Sequence, residues 1–84
     1  MKNVRIYTTT NCGYCVAAKR LCQQKGIPFE EIDLTHNHDL RQKLSEENGF
    51  YRTVPMIFIG DQFIGGFTEL DHLRKTGALD SALA

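Results

Sequence analysis

Cys12-Gly13-Tyr14-Cys15 is the feature of this 84-residue chain most able to do chemistry. Two cysteines separated by two residues can close a disulfide, and the same pair can ligate a metal. A strand-like segment, Val4-Arg5-Ile6-Tyr7-Thr8, and a polar turn, Thr9-Thr10-Asn11, precede the pair, and a helical pattern follows it. At a helix start, free backbone N–H groups and the positive end of the helix dipole favour an anion. A thiol there loses its proton more easily, and such activated thiols fall at pKa about 3.5–7.5, against about 8.5 unperturbed. Cys15, one turn into the helix, is expected to be more buried and more protonated. Cys12 therefore attacks, and Cys15 resolves a mixed disulfide or completes an internal one. A structural or metal pair is the alternative. Zinc generally takes four ligands, and only His36 and His38, in a polar loop, are available to complete such a site.

Other residues carry weaker signals. Cys22 lies on the apolar helix face with Cys15 and reads as a small buried hydrophobe. Tyr14, between the thiols, is either packing or the wall of a ligand site. Thr53-Val54-Pro55 precedes an apolar run, where a proline belongs at a strand's first residue because it lacks a donor. On its own it marks a strand boundary, since only about 5–6% of X–Pro bonds are cis. Gly65-Gly66 followed by Phe67-Thr68-Glu69 is a flexible turn feeding a helix start. It suits a plain hairpin exit with Thr68 as N-cap, or a carboxylate held by free N–H groups. Arg41 and Arg52 are candidates for the far end of an anionic peptide, or simply solvated charges.

The elements that must position these groups can be read from periodicity. Residues 4–8 alternate as a strand. Residues 13–25 place Cys15, Ala18, Leu21 and Cys22 on one helical face, and Gly26 and Pro28 end that helix. Residues 27–34 read as a second strand whose alternation slips at Glu30-Glu31, making a right-handed parallel βαβ unit. A second helix covers 37–47. Met56-Ile57-Phe58-Ile59 is a strand covered on both faces, Gly60-Asp61 a hairpin turn and Gln62-Phe63-Ile64 its return. A third helix runs from Thr68 to a stop at Gly77, and 78–83 add a short fourth. The expected fold is α/β, a four-stranded mixed sheet with helices on both faces.

Composition narrows the class. The chain has room for one domain, residues 1–84. Ten basic and ten acidic residues cancel, so charge offers no general case for nucleic acid or an anionic membrane. No apolar run approaches the roughly 20 residues of a membrane span. Three cysteines are too few for a disulfide-stapled scaffold, which favours a reducing compartment such as the cytoplasm. With no spare apolar face, a monomer is expected.

Taken in order, IYTTTNCGYC, RTVPMIFIG and IGGFTEL resemble the glutaredoxin family along nearly the whole chain. The resemblance implies a thioredoxin fold with Pro55 cis and Cys12 and Cys15 as the redox pair. It implies a glutathione groove between the Cys12 loop, Thr53-Val54-Pro55 and the Gly65-Gly66 turn. Val54 would pair with the glutathione cysteine, and Gly66, Phe67 and Thr68 would hold the γ-glutamyl carboxylate. Arg41, with Arg52, would meet the glycine carboxylate, and Tyr14 would line the groove. The implied activity is reduction of protein–glutathione mixed disulfides and of protein disulfides, with glutathione as co-substrate. This chain departs from the family's common pattern in three places. It has Gly13 for a proline, threonines 8–10 where many members have a lysine, and Thr68-Glu69 for an acidic pair. Two other readings stay open: a [2Fe–2S] cluster ligated by Cys12 and glutathione, and a redoxin served by thioredoxin reductase.

Overall fold

Alternation along residues 4–8 decides which way the first strand faces. Val4, Ile6 and Thr8 turn to one side, Tyr7 to the other, and all four are buried. The computed structural model describes residues 1–84. In chain order they form β1 (Val4–Thr8), α1 (Gly13–Gln24), β2 (Glu30–Asp33), α2 (His38–Glu47), β3 (Met56–Ile59), β4 (Gln62–Gly65), α3 (Phe67–Thr76) and α4 (Leu79–Leu83). The sheet order is β2-β1-β3-β4, with β1–β2 parallel and the other two pairings antiparallel. This is the four-stranded mixed sheet of a thioredoxin fold. No helix is long and apolar enough to cross a membrane.

Two apolar clusters hold the layers together. On one face, Val4, Ile6, Ile57 and Ile59 meet Ala18, Leu21 and Cys22 of α1, Leu70 of α3, and Leu79 and Leu83 of α4. On the other, Tyr7, Met56 and Phe58 meet Leu34 and Leu44. β3 is buried at all four positions because each of its faces is covered, which is why its sequence is apolar without a break.

The sequence boundaries need two corrections. β2 begins at Glu30, not at residue 27. Ile27 is instead pinned into the core, its N–H donating to the Cys22 carbonyl at 2.8 Å, and Pro28 supplies no N–H for a ladder. β2 is also an edge strand with mostly exposed residues, so the slip at Glu30-Glu31 reflects a strand with little apolar face to keep in register. The N-cap of α3 is Gly66, and Thr68 lies inside the first turn.

Ile57 is fully buried at the centre of the larger cluster. Ile57→Ala is expected to lower unfolding free energy by about 2–5 kcal/mol, and Ile57→Val by about 0.5–1.5 kcal/mol, measured by urea denaturation.

Candidate functional site

Cys12 leaves β1 in an extended conformation and becomes the N-cap of α1. Its Sγ accepts the Cys15 backbone N–H at 3.1 Å, the hydrogen bond a serine or aspartate oxygen makes at other helix starts. The same donor, with the helix dipole behind it, stabilises a thiolate when the pair is reduced. Cys12 and Cys15 are joined as a disulfide here, with Cα atoms 5.2 Å apart. Cys12 is half-buried, whereas Cys15 is only 1% exposed. An incoming molecule can reach one sulfur and not the other.

The sheet brings a second segment to this sulfur. In the β1–β3 register Tyr7 faces Met56, so the chain leaving β1 meets the chain entering β3. The Val54–Pro55 peptide is cis, as the family resemblance implies, and the Val54 carbonyl oxygen lies 3.7 Å from Cys12 Sγ.

The double glycine forms a third wall, packed and not flexible. Gly65 and Gly66 are both buried, and Gly65 has φ +120, which disfavours any side chain. A Cβ on Gly65 would stand 2.5 Å from Glu69 Oε1, and one on Gly66 would stand 2.7 Å from the Tyr51 hydroxyl. Glu69 is the organiser. Its Oε1 accepts the Gly66 N–H at 2.7 Å and the Tyr51 hydroxyl at 3.1 Å. One carboxylate thus closes the first turn of α3 and ties it to the segment leading into Pro55. Burial first, and the nearby Glu69 charge second, raise the Tyr51 pKa, which keeps the hydroxyl a donor. Because Glu69 takes the Gly66 amide, the remaining free amides of the first turn belong to residues further along. Glu69 is visible in the sequence as an acid in a helix's first turn, but nothing local links it to Tyr51.

The other expected residues divide. Tyr14 is 66% exposed and its ring stacks on Phe67, with centroids 6.2 Å apart, which joins the Cys12 loop to the start of α3. Thr53 and Thr68 are exposed on either side. Arg41 donates through Nη2 to the Arg52 carbonyl at 3.3 Å, and both arginines line a shallow depression with Tyr51. No hydrogen bond or ion pair joins either arginine side chain to the cysteine loop or the Gly66 turn. A cavity of about 560 Å³ touches Cys12 from another side, against Thr8, Lys19, Glu31 and Asp33, and Val54, Phe67 and Thr68 do not line it. Thr8 is closed to ligands. It is 2% exposed and its hydroxyl donates to Glu31 Oε2 at 2.8 Å, beside the Lys19 ammonium at 2.9 Å. Those hydrogen bonds, Lys19's first, lower the Glu31 pKa.

Cys22 is 1% exposed and free, and burial raises its pKa to about 11, so it is a packed thiol and not a nucleophile. No group of three or more His, Cys, Asp or Glu residues could hold a metal ion, so His36 and His38 do not join the cysteines. A [2Fe–2S] cluster would draw Cys12 alone from this chain and the rest of its ligands from elsewhere.

Comparison with known proteins gives a consistent result. The family model described as Glutaredoxin matches residues 4–64. A glutaredoxin of Pseudomonas aeruginosa is 43% identical over 84 residues, covering 100% of this chain and 99% of the relative. Glutaredoxin 3 of Escherichia coli is 42% identical over 83 residues, covering 99% of both. The crystal structure of a buckwheat glutaredoxin–glutathione complex superposes with TM-score 0.87 at 33% identity, covering 98% of this chain and 76% of that one. The solution structure of a Brucella melitensis glutaredoxin gives TM-score 0.87 at 43% identity, covering 99% and 89%.

The close approach at Gly66 can be tested as a coupled pair. Gly66→Ala is expected to cost about 1–3 kcal/mol of stability through overpacking. In a Tyr51→Phe background, where the crowding oxygen is gone, the same substitution costs less. The coupling read from a urea double-mutant cycle should be about 0.5 kcal/mol or more.

Proposed function

The chain belongs to the glutaredoxin family and is a thiol–disulfide oxidoreductase. From that premise we propose that it deglutathionylates proteins, and reduces protein disulfides, through the Cys12 thiolate with glutathione as electron donor. The observation that carries this reading is the position of Cys12 Sγ. It sits at the N-cap of α1, 3.1 Å from a backbone N–H and 3.7 Å from the Val54 carbonyl. The first contact favours the thiolate. The second puts a backbone carbonyl beside it, to which the main chain of a short peptide can hydrogen-bond.

The reaction begins with Cys12 thiolate attacking the glutathione sulfur of a protein–S–S–glutathione bond. The protein thiolate leaves and takes a proton from solvent, and Cys12 now carries glutathione. A second glutathione thiolate attacks the glutathione sulfur on Cys12, releasing glutathione disulfide and restoring the Cys12 thiolate. Alternatively Cys15, once deprotonated, attacks Cys12 Sγ, expels glutathione and forms the Cys12–Cys15 disulfide. Two further glutathione molecules then reduce that disulfide, giving glutathione disulfide. Burial of Cys15 makes it a resolving group only, because external disulfides do not reach it.

In this reading glutathione lies across the Val54-Pro55 segment with its cysteine at Cys12. Free amides of Phe67 and Thr68 at the start of α3 receive the γ-glutamyl carboxylate. Tyr14 walls the groove, Thr53 and Gly66 bound it, and Arg41 and Arg52 attract the glycine carboxylate. The buckwheat relative, crystallised as a complex with glutathione, supports such a site. All of these groups come from one chain, so the reaction is proposed for a monomer. Each turnover by either route consumes reduced glutathione, which suits the cytoplasm.

Turnover of a glutathionylated peptide with glutathione as sole reductant tests the mechanism. Cys15→Ser is expected to stay active and Cys12→Ser to lose at least about 100-fold, as removal of a nucleophile does. An active Cys12→Ser would overturn the proposal. Arg41→Ala tests the far end of the groove. It should raise the KM for glutathione by roughly three- to tenfold and leave kcat near its original value, the pattern of lost uniform binding. An unchanged KM removes Arg41 from the site.

A further inference from the structure

Beyond the thiols, one surface is both charged and continuous with the site. Ala17, Arg20, Leu21 and Lys25 on one side, and Phe67 and Arg74 on the other, line a groove of about 450 Å³ between α1 and α3. Arg20, Lys25 and Arg74 are exposed, and no Asp or Glu lines the groove. Arg74 also holds Asp71 at 2.7 Å, but Arg20 and Lys25 have no ion-pair partner in the chain. In a protein of zero net charge, Arg20 and Lys25 without a paired carboxylate make a local field and not a general one.

The groove opens at the active site. Phe67 belongs both to it and to the Tyr14–Phe67 stack that walls Cys12. Tyr14, 66% exposed, offers apolar surface at that opening. Distances along it suit a polypeptide. At about 1.5 Å of rise per residue, Arg20 lies roughly 12 Å and Lys25 roughly 20 Å along the helix from Cys12, where the substrate cysteine must sit. An extended chain covers those distances in about four and six residues.

We propose that this groove receives an acidic stretch of the protein substrate, Asp or Glu residues four to six positions from the glutathionylated cysteine. The inference rests on the deglutathionylation reading and names its substrate class. Tyr14 and Phe67 cover the apolar part of the bound segment. Arg20 and Lys25, with Arg74, meet its carboxylates. Small disulfides do not reach Arg20, Lys25 or Arg74, so the groove selects among proteins without affecting the chemistry at Cys12.

The experiment compares two glutathionylated peptides that differ only at positions four to six from the cysteine, one neutral and one with three glutamates. Exposed pairs contribute little singly, so two or three together should favour the acidic peptide in kcat/KM by about three- to tenfold at low salt. The preference should shrink in 0.5 M salt, where charges more than about 4–5 Å apart are screened. R20E/K25E should abolish or invert it while turning over the mixed disulfide of glutathione and 2-mercaptoethanol normally. Equal kcat/KM for the two peptides in the parent, or a preference that survives in R20E/K25E, overturns the proposal. Fluorescence anisotropy of the acidic peptide, unglutathionylated, with the Cys12→Ser protein judges the groove without turnover, and equal binding of both peptides there also overturns it. Failure of the parent on the small mixed disulfide strikes the deglutathionylation reading instead, and the anisotropy result then still decides the groove.

Discussion

Tyr7 faces Met56 across the antiparallel β1–β3 ladder, and the site hangs on that register. It aligns the end of β1 with the start of β3, so the cysteine loop and the Val54–Pro55 segment leave the sheet at the same end of the two central strands. A slip of one residue would exchange the two faces of β3 and bring Met56 and Phe58 against α1. The apolar clusters forbid this. Ile57 and Ile59 fill the layer under α1 and α3, while Met56 and Phe58 fill the layer under α2. Core packing thus fixes the register, and the register fixes the 3.7 Å separation between Cys12 Sγ and the Val54 carbonyl.

Within that frame, differences in exposure give three cysteines three fates. Cys12 keeps a half-buried sulfur at a helix N-cap, where a backbone donor favours its anion. Cys15 is sealed by the helix it belongs to and is open only to its neighbour. Cys22, two turns on, is sealed by the core, and desolvation holds its proton. The chain needs no second charged group to sort them, because the same helix presents one thiol at its start and buries the others along its apolar face.

Glu69 joins parts of the site that are far apart in sequence. A carboxylate in a first helical turn ordinarily answers the helix dipole. This one also accepts from Tyr51, so the segment entering β3 and the turn entering α3 share one acceptor. The two glycines before it leave room for that sharing, since a Cβ on either would press against Glu69 or Tyr51. Rigidity at this corner matters to a site built from backbone groups. Amides and carbonyls bind a peptide well only when the chain carrying them is held in place.

Much of this could be read directly from the sequence. The strand–Cys-x-x-Cys–helix order, the unbroken apolar run of β3 and the stop at Gly77 depend on periodicity and on hydrogen bonds within a few residues, and those survive in one dimension. The order of the motifs was enough to point to the family. The β2 start and the α3 cap were misplaced for a related reason: local rules favour Thr68 as a cap and extend a strand through Ile27. Packing of Ile27 into the core and the reach of Glu69 to the Gly66 amide override them. Tyr51 with Glu69, the closure of Thr8 by Glu31, and the cation-lined groove between α1 and α3 had no sequence signature. Each joins residues on separate elements, and their proximity exists only once the sheet register and the two clusters have set where those elements lie. Residue types and their spacing name the groups able to react. Which of them meet follows from the fold, because contacts between distant segments are set by how the core packs and not by the residues' own preferences.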